Sequence, residues 1–326
     1  MLALALTIHI RSAILYNPGY PMTPKKIDGT LPEYRDISAL AMLKTYYRLT
    51  KPGIIYGNLL TAIGGFLLAA RGNIDFGLLL VAAAGTSLII ASACVFNNYI
   101  DRDIDAHMAR TRKRALVSGE ISGSEALIFG SILGVLGAAL LYLFTNLTTL
   151  VLGTIGFVTY VLIYTYTKRK TIYGTLIGSI PGATPITAGY TAVTGHFDMG
   201  AALLFLILVL WQMPHFYAIS IFRRDDYKAA GIPVMSVVRG VAATKRQILL
   251  YIFALVFAVY ALWAYGYVGF IHLFVVTAYT LFWLYRGVRG MKENMDDTSW
   301  ARKMFGLSLL FLLIFSIMLA LDAWLL

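Results

Sequence analysis

The stretch ACVFNNYIDRDIDAHMARTRKRALVSG, residues 93–119, begins as an apolar run and within a few residues becomes rich in amides, carboxylates and arginines. Its apolar part ends a hydrophobic segment that covers residues 77–99. A helix needs about 17 to 25 apolar residues to cross the hydrocarbon core of a membrane. The stretch is therefore interpreted as the end of a membrane helix followed by a charged loop.

Apolar segments of this kind recur along the whole chain. The 326 residues are 59% hydrophobic and 13% charged, with a mean hydropathy of +0.74, so a soluble domain would expose large apolar patches. The strands of a β-barrel would instead alternate in polarity over about ten residues. The sequence predicts an all-α integral membrane protein of nine transmembrane helices around a central cavity, near residues 54–70, 77–99, 124–144, 147–166, 173–194, 199–221, 247–266, 268–286 and 304–325.

The lysines and arginines indicate how this bundle lies in the membrane. Of the 27 cations, all but Arg71 precede the first segment or fall in loops on the same side as its start. Because loops rich in cations stay in the cytoplasm, we expect a cytoplasmic N-terminus, an external C-terminus and a cavity that opens to the cytoplasm. The net charge of +11 follows from this topology, and no nucleic-acid partner is expected.

Residues 1–50 stand apart from the predicted bundle. They start with a short apolar run but have neither a basic leader nor a credible cleavage site, so we expect no signal peptide. We expect a cytoplasmic or interfacial segment, partly disordered, before a single transmembrane domain over residues 51–326. An Arg- and Ser-rich transit sequence is also missing, which favours a prokaryotic inner membrane. The single cysteine, Cys94, lies in a predicted helix and forms no internal disulfide.

The first charged loop carries oxygen donors at a helical spacing. If the second helix continues, Asn97, Asp101 and Asp105 lie within about 80° of one another around its axis. Oxygen donors without histidine or thiolate suit a hard cation, above all Mg²⁺ bridging the phosphates of a substrate. Arg110 and Arg114 repeat the spacing and suit diphosphate oxygens. The alternative is a solvated loop, but membrane topology requires only the cations.

A second polar cluster follows the sixth predicted helix, in LWQMPHFYAISIFRRDDYKAAGIPV, residues 210–234. If residues 211–226 form one helix, His215 and Asp226 share a face, with His215 about 16 Å above Asp226 along the axis. Ionisable groups inside a membrane are costly and commonly face a cavity. The alternative for His215 is a structural role beside the kink that Pro214 introduces.

A third polar block, YTYTKRKTIYGTLIGSIPGATPITAGYTAVTG, covers residues 164–195. Lys168 is a candidate phosphate ligand, and the alternative is a lysine that only sets topology. The fifth helix is rich in glycine and threonine, and small residues let a helix or a large ligand approach closely. Pro181 and Pro185 are expected to distort this helix, which is tolerated where a helix lines a cavity.

These three blocks resemble, in order and spacing, the UbiA-type superfamily of intramembrane prenyltransferases and, within it, its heme-modifying branch. The resemblance covers residues 45–325 and implies nine helices with two acidic motifs on cytoplasmic loops. It implies that Asn97 or Asn98, with Asp101 and Asp105, binds Mg²⁺-diphosphate, and that Asp226 belongs to the second motif. That motif departs from the usual D-x-x-x-D pattern, because Phe222 precedes Asp226 by four positions. The second metal subsite is then weak or supplemented by Asp225.

The resemblance also implies the roles of individual residues. Candidates for catalysis are Asp101, Asp105, Asp226 and Lys168. Candidates for the Mg²⁺ site are Asp101, Asp105, Asp226 and Asn97. Candidates for substrate binding are Asn97, Asn98, Arg110, Arg114, Arg169, Arg223 and Tyr227, with His215 for heme iron. Stabilisation of an allylic cation, with packing as the alternative, is expected of Tyr164, Tyr166, Phe216 and Tyr217.

The implied activity is transfer of the farnesyl group of farnesyl diphosphate to a vinyl group of protoheme IX (heme B), which gives heme O and releases diphosphate. Mg²⁺ is the implied cofactor, and no redox cofactor is needed. The implied partners are the two substrates, the lipid bilayer and a heme A synthase or terminal oxidase that receives the product.

Two other functions remain open at this point. A relative with a quinone precursor or chlorophyllide as acceptor would share the whole diphosphate site, and His215 is the residue that distinguishes it. A secondary transporter would also carry polar residues near broken helices. The acidic clusters lie at one membrane face and not at the midplane, which argues against transport. Product formation in detergent, without a gradient, separates the two.

Overall fold

The computed structural model describes residues 39–292 and 296–325, and every regular element within these ranges is a helix. Nine long helices, α1 to α9, follow the predicted segments in these ranges: Pro52–Ala70, Phe76–Ile100, Gly123–Phe144, Leu147–Thr167, Gly174–Thr194, Met199–Phe222, Val241–Ala264, Phe270–Lys292 and Asp297–Leu325. Shorter helices lie between or before them, at Ala39–Leu49, Arg102–Asp105, Ala115–Ser118, Arg224–Ala229 and Met235–Val238.

Of the long helices in the described ranges, all but α5 are long and apolar enough to cross a membrane. The α5 helix has 21 residues, but its glycine, proline and threonine residues make it less apolar. The prediction of an all-α, multi-pass membrane protein is confirmed. Residues 1–38 of the predicted N-terminal segment lie outside the described residues.

The α5 helix lies in the interior of the bundle. It packs against α1, α4 and α6, and every residue from 183 to 192 is buried. The helix continues through Pro181 and Pro185. Because Pro185 has no N–H to donate to the carbonyl of Pro181, the hydroxyl of Thr184 donates to that carbonyl instead, at 2.8 Å. A side chain thus replaces the missing backbone hydrogen bond.

The α1 and α5 helices cross in close backbone contact. A Cβ added to Gly189 would meet the carbonyl oxygen of Ala62 at 1.9 Å, and one added to Gly65 would meet the carbonyl oxygen of Ile186 at 2.2 Å. Glycine at both positions therefore permits this crossing, as is usual where membrane helices approach closely.

Replacing Gly189 by alanine is expected to destabilise the protein by about 1–3 kcal/mol, because α1 and α5 must move apart to accommodate the methyl group. Thermal unfolding of the purified protein in detergent measures the effect. Gly306→Ala on α9 is the control, since a Cβ there has no neighbour within 4 Å and alanine favours a helix. Equal melting temperatures of the two variants would contradict the proposed close crossing.

The helix Ala39–Leu49 packs onto α2 and α3. Tyr46 is fully buried, and its ring contacts that of Phe129 edge to face at 5.0 Å. The side-chain amide of Asn98 donates to the carbonyl of Leu49 at 2.8 Å. Apolar packing and one buried hydrogen bond thus fix the start of the described chain to the bundle.

Candidate active site

A cavity of about 810 Å³ lies inside the bundle, lined by residues of α1, α2, α4, α5, α6 and α9. Its interior is apolar, and charged side chains surround it where α2, α4 and α6 end. Of the residues predicted for catalysis, metal binding or substrate binding, ten line it: Asn97, Asp101, Asp105, Arg110, Arg114, Lys168, His215, Arg223, Asp226 and Tyr227. The two charged loops, far apart in sequence, therefore meet at one chamber.

The end of α2 keeps the predicted one-turn spacing of oxygen donors. The helix ends at Ile100, and a single further turn, Arg102–Asp105, follows. The backbone N–H of Asp101 donates to the carbonyl of Asn97, and that of Asp105 to the carbonyl of Asp101, both at 2.9 Å. Asn97, Asp101 and Asp105 are all buried and line the same cavity. The expectation that they share one face is confirmed.

Both buried carboxylates at this end of the cavity are paired with cations. Lys168 donates to Asp101, and Arg114 donates to Asp105. Burial lowers the pKa of Lys168, while the charge of Asp101 opposes this shift. Removing one partner of a buried pair is strongly destabilising, because it leaves an uncompensated charge. The carboxylates and cations expected to bind Mg²⁺-diphosphate thus neutralise one another here.

Arg169 lies beside this group, although it is not among the residues that line the cavity. Its guanidinium binds both carboxylate oxygens of the exposed Asp103, at 2.7 and 2.8 Å, and reaches Asp101 at 3.3 Å. The hydrogen bond from Arg169 lowers the pKa of Asp103 to about 2. Arg169 therefore joins the end of α4 to the end of α2.

Arg110 and Arg114 lie in turns and not on a helix, so their spacing of four residues does not reflect helical geometry. Both nevertheless line the cavity. Among the residues that the structure describes, Arg110 forms no ion pair, whereas Arg114 is bound to Asp105. Arg110 is therefore a cation that remains available to an anionic ligand.

Lys51 belongs to the site, although its place in the sequence indicates only a cation that sets topology. Its ammonium donates to the side-chain oxygen of Asn97 at 2.6 Å, and the amide of Asn97 donates to Asp101 at 2.8 Å and to Thr165 at 3.1 Å. Burial lowers the pKa of Lys51 to about 8. Its position directly before Pro52 is the only sequence signal, and that signal marks a helix start, not a site.

The neighbouring amides Asn97 and Asn98 have different surroundings. Asn98 is buried but does not line the cavity. It donates to the carbonyl of Leu49 and accepts a hydrogen bond from Arg114 at 3.1 Å. Asn98 thus positions Arg114 from outside the cavity, whereas Asn97 lines the cavity.

At the end of α6, the prediction that residues 211–226 form one helix is wrong. The α6 helix ends at Phe222, and a separate helix begins after Arg223, whose φ of −114° and ψ of 20° are not helical. His215, Phe222 and Asp226 still line the same cavity. Asp226 lies 3.8 Å from Arg223, whereas Asp225 is exposed and does not line the chamber.

His215 is held between α6 and α9. Its ring lies 5.0 Å from that of Trp211 and 4.8 Å from that of Phe305, and its Nδ1 is 2.8 Å from the hydroxyl of Ser308. Ser308 donates its single hydrogen to the carbonyl of Phe305, at 2.6 Å. The hydroxyl oxygen therefore accepts a hydrogen bond from Nδ1–H of His215, which leaves a lone pair on Nε2.

Two stacked tyrosines line the cavity near Lys168. The rings of Tyr160 and Tyr164 are 5.5 Å apart, and the ammonium of Lys168 lies 5.1 Å from the ring of Tyr164. Both tyrosines lie on a π-helical segment, Thr159–Tyr164, a local widening that often marks functional sites. Tyr160 was not predicted from the sequence, because a π-helical segment has no recognisable residue pattern.

The other aromatic candidates differ in position. Phe216 lines the cavity, whereas Tyr166 and Tyr217 do not. Tyr166 is exposed on the outside of the bundle, and Tyr217 is buried against Tyr251. Of these three, only Phe216 can present its ring to a ligand in the chamber.

The donors at the end of α2 fit a hard cation that is shared with a ligand. The described residues contain no group of three or more histidine, cysteine, aspartate or glutamate side chains that could hold a metal ion. Asp101, Asp105 and Asn97 supply oxygen atoms, the donors that Mg²⁺ prefers, but too few to complete its coordination. An Mg²⁺ ion here would take further oxygens from a substrate.

Proteins named protoheme IX farnesyltransferase resemble the chain over most of its length. One from Yersinia pseudotuberculosis serotype O:1b is 51% identical over 282 residues, which cover 86% of this chain and 95% of that protein. Protoheme IX farnesyltransferase 2 from Chromobacterium violaceum is 52% identical over 280 residues, which cover 86% of this chain and 93% of that protein.

Solved structures share the fold at lower identity. A digeranylgeranylglyceryl phosphate synthase structure matches with a TM-score of 0.72 and 22% identity, covering 87% of this chain and 99% of its own. A UbiA homolog from Archaeoglobus fulgidus, bound to GPP and Mg²⁺, matches with a TM-score of 0.64 and 17% identity, covering 85% of this chain and 99% of its own. The UbiA prenyltransferase family matches residues 58–318, and the chain therefore belongs to this family.

Proposed function

We propose that the protein transfers the farnesyl group of farnesyl diphosphate to a vinyl group of protoheme IX (heme B), forming heme O and releasing diphosphate. One observation carries the proposal: a single cavity is lined by the buried carboxylates, by a set of cations and by His215. The chain is 51% and 52% identical in sequence to two proteins named protoheme IX farnesyltransferase, which supports the choice of both substrates.

The diphosphate end of the donor would lie where α2 and α4 end. Lys51, Lys168, Arg110 and Arg114 bring positive charge to this part of the cavity. Lys168 and Arg114 would exchange their carboxylate partners for diphosphate oxygens, which frees Asp101 and Asp105 to act as ligands. When bound, Mg²⁺ would stabilise the negative charge of the diphosphate.

Bond cleavage at farnesyl carbon 1 leaves its electron pair on the diphosphate. The fixed cations of the chain stabilise that developing charge, the type of term that commonly contributes most to such catalysis. Tyr160 and Tyr164 line the same cavity, and their rings would stabilise the allylic cation. The vinyl group of heme then attacks carbon 1, and water captures the new cation and loses a proton.

Residues at the end of α6 would complete the donor site. Asp226, Arg223 and Tyr227 line the cavity from the helix Arg224–Ala229 and the residue before it. Because Phe222 replaces the second carboxylate of the usual motif, Asp226 would act as the single acidic ligand on this side. Asn98 and Arg169 would act indirectly, by holding Arg114 and Asp101 in position.

The heme would lie against α6 and α9. Nε2 of His215 carries a lone pair, and a histidine that ligates a metal typically donates its other ring N–H to a fixed acceptor, here Ser308. Trp211 and Phe305 pack against His215 and line the cavity, where they would contribute apolar contacts to the porphyrin. These features support His215 as the ligand of the heme iron.

The protein is proposed to lie in a bacterial inner membrane, with the N-terminus in the cytoplasm and the C-terminus outside. The clustering of cations on one face of the bundle and the bacterial origin of the relatives support this orientation and location. Residues 51–326 would form one transmembrane domain, with residues 1–50 as a cytoplasmic or interfacial segment. A heme A synthase or a terminal oxidase would receive the product.

The activity is tested by incubating the purified protein with heme B, farnesyl diphosphate and Mg²⁺. We expect a porphyrin whose mass equals that of heme B plus one farnesyl group and one hydroxyl group, because water adds to the alkylated vinyl group and loses one proton. Chelation of Mg²⁺ should stop its formation. Prenylation of 4-hydroxybenzoate instead of heme would indicate a different acceptor.

Lys51→Met is expected to lower kcat/KM for farnesyl diphosphate about 100-fold, because it removes a partly buried cation from the diphosphate site. The measurement is steady-state turnover with heme B in excess. Lys44→Met is the control, since Lys44 is exposed on the helix Ala39–Leu49 and does not line the cavity. An unchanged kcat/KM in the Lys51 variant would exclude Lys51 from the donor site.

A further inference from the structure

The apolar half of the cavity ends within α2, α4 and α5 and does not reach the far ends of these helices. Among the described residues, the lining ends at Thr86 on α2, at Gly153 on α4 and at Ala188 on α5. At ~1.5 Å of rise per residue, Thr86 lies about 22 Å from Asp101 along α2. The chamber thus has a floor at a definite distance from its charged rim.

The floor is closed by packed protein. On α5, the lining ends one residue before Gly189, where the backbones of α1 and α5 are in close contact. Beyond this crossing, an apolar cluster of Phe66, Ala70, Ala82 and Ala192 fills the space between α1, α2 and α5. A ligand tail cannot extend through this region without separating the helices.

The depth of the chamber fits three isoprene units. An extended chain gains about 1.2 Å per bond, since three backbone bonds of a peptide span ~3.5 Å. The twelve-carbon main chain of a farnesyl group is therefore about 13 Å long, which leaves room for the diphosphate at the rim. A four-unit chain of about 18 Å would crowd the diphosphate, whereas a two-unit chain of about 8 Å would leave the floor empty.

We infer that Thr86 determines which isoprenoid length the protein accepts, because its side chain stands where the last isoprene unit of a farnesyl tail would end. This inference rests on the proposed function. Thr86 is 6% exposed, and no residue that the structure describes forms a hydrogen bond with its hydroxyl. The hydroxyl of Thr61, by contrast, is bound to the carbonyl of Asn58 at 2.8 Å. Thr86 can thus be replaced without breaking a hydrogen bond of the described chain.

The test compares variants that fill or enlarge the floor. Thr86→Phe and Thr86→Leu add volume, whereas Thr86→Ala removes it and creates no clash. Ala84→Phe is the matched control, since Ala84 is exposed on the same helix two positions away. Each protein is purified, its melting temperature is measured, and kcat/KM is determined with heme B and geranyl, farnesyl or geranylgeranyl diphosphate.

We expect Thr86→Phe to lower the ratio of farnesyl to geranyl kcat/KM at least about 10-fold, since even one methylene group in an apolar pocket changes discrimination by that order. Thr86→Leu should shift the ratio in the same direction by less, and Thr86→Ala should raise the use of geranylgeranyl diphosphate. The ratio for Ala84→Phe should equal that of the unmodified protein.

The possible outcomes separate this inference from the function on which it rests. If heme is prenylated but the length preference of the folded Thr86 variants is unchanged, Thr86 does not set the length and the proposed function stands. If the unmodified protein prenylates no heme with any of the three donors, the proposed function is wrong and the inference is overturned with it.

Discussion

Asp101→Asn is expected to reduce turnover of heme B at least about 1000-fold, the largest effect of any single substitution proposed for this protein. Asp101 is buried, lines the cavity and accepts hydrogen bonds from Lys168 and Asn97. Asparagine keeps the shape of the side chain but removes the charge that would bind Mg²⁺. The substitution would weaken the stabilisation of charge on the leaving diphosphate, and it would remove the carboxylate that positions Lys168.

The control for this substitution is Asp103→Asn. Asp103 lies two residues away and loses the same charge, but its side chain is 60% exposed and binds Arg169 at the surface. We expect its turnover to stay close to that of the unmodified protein, because exposed ion pairs contribute little. Near-normal turnover in Asp101→Asn would refute the role of this carboxylate.

A loss of stability in Asp101→Asn must be separated from a loss of chemistry. The substitution leaves the ammonium of Lys168 without its carboxylate partner in a mostly buried position. The double variant Asp101→Asn with Lys168→Met removes both charges, so its melting temperature should recover while its turnover stays low. Recovery of turnover in the double variant would show that charge balance, not metal binding, explains the effect.

His215→Ala is expected to weaken binding of heme B about 100-fold while leaving Mg²⁺-dependent binding of farnesyl diphosphate unchanged. The reason is the loss of the Nε2 lone pair, which the hydrogen bond to Ser308 leaves free for the heme iron. Heme binding is followed by the shift of the Soret band, and donor binding by the rise in melting temperature with farnesyl diphosphate and Mg²⁺. The two readouts distinguish a lost iron ligand from a distorted cavity.

Two further variants sharpen this experiment. Ser308→Ala keeps the imidazole but removes the acceptor that selects its tautomer, so heme binding should weaken by about 10-fold. His196→Ala removes an exposed histidine outside the cavity and should change neither ligand. Equal loss of heme and farnesyl diphosphate binding in His215→Ala would count against a specific role in heme binding.

Part of the site followed from local spacing alone. Asn97, Asp101 and Asp105 are one helical turn apart, so their common face depends only on a continuous turn at the end of α2. The prediction of one helix from His215 to Asp226 was wrong, because no local sequence signal marks the end of α6. Arg223 leaves the helical conformation, and residues 211–226 contain no glycine or late proline that signals this break.

The sequence by itself determined the all-α membrane fold, the order of the nine long helices in the described ranges and the expected grouping of the charged loops on one side, because hydrophobic length and the distribution of cations are local properties of the chain. Only the tertiary structure decided that Lys51 and Tyr160 enter the cavity, that Asn98 faces away from it, and that Ser308 selects the tautomer of His215. These features arise where helices distant in sequence come into contact. The spacing of residues within one segment does not predict which side chains of different helices come into contact.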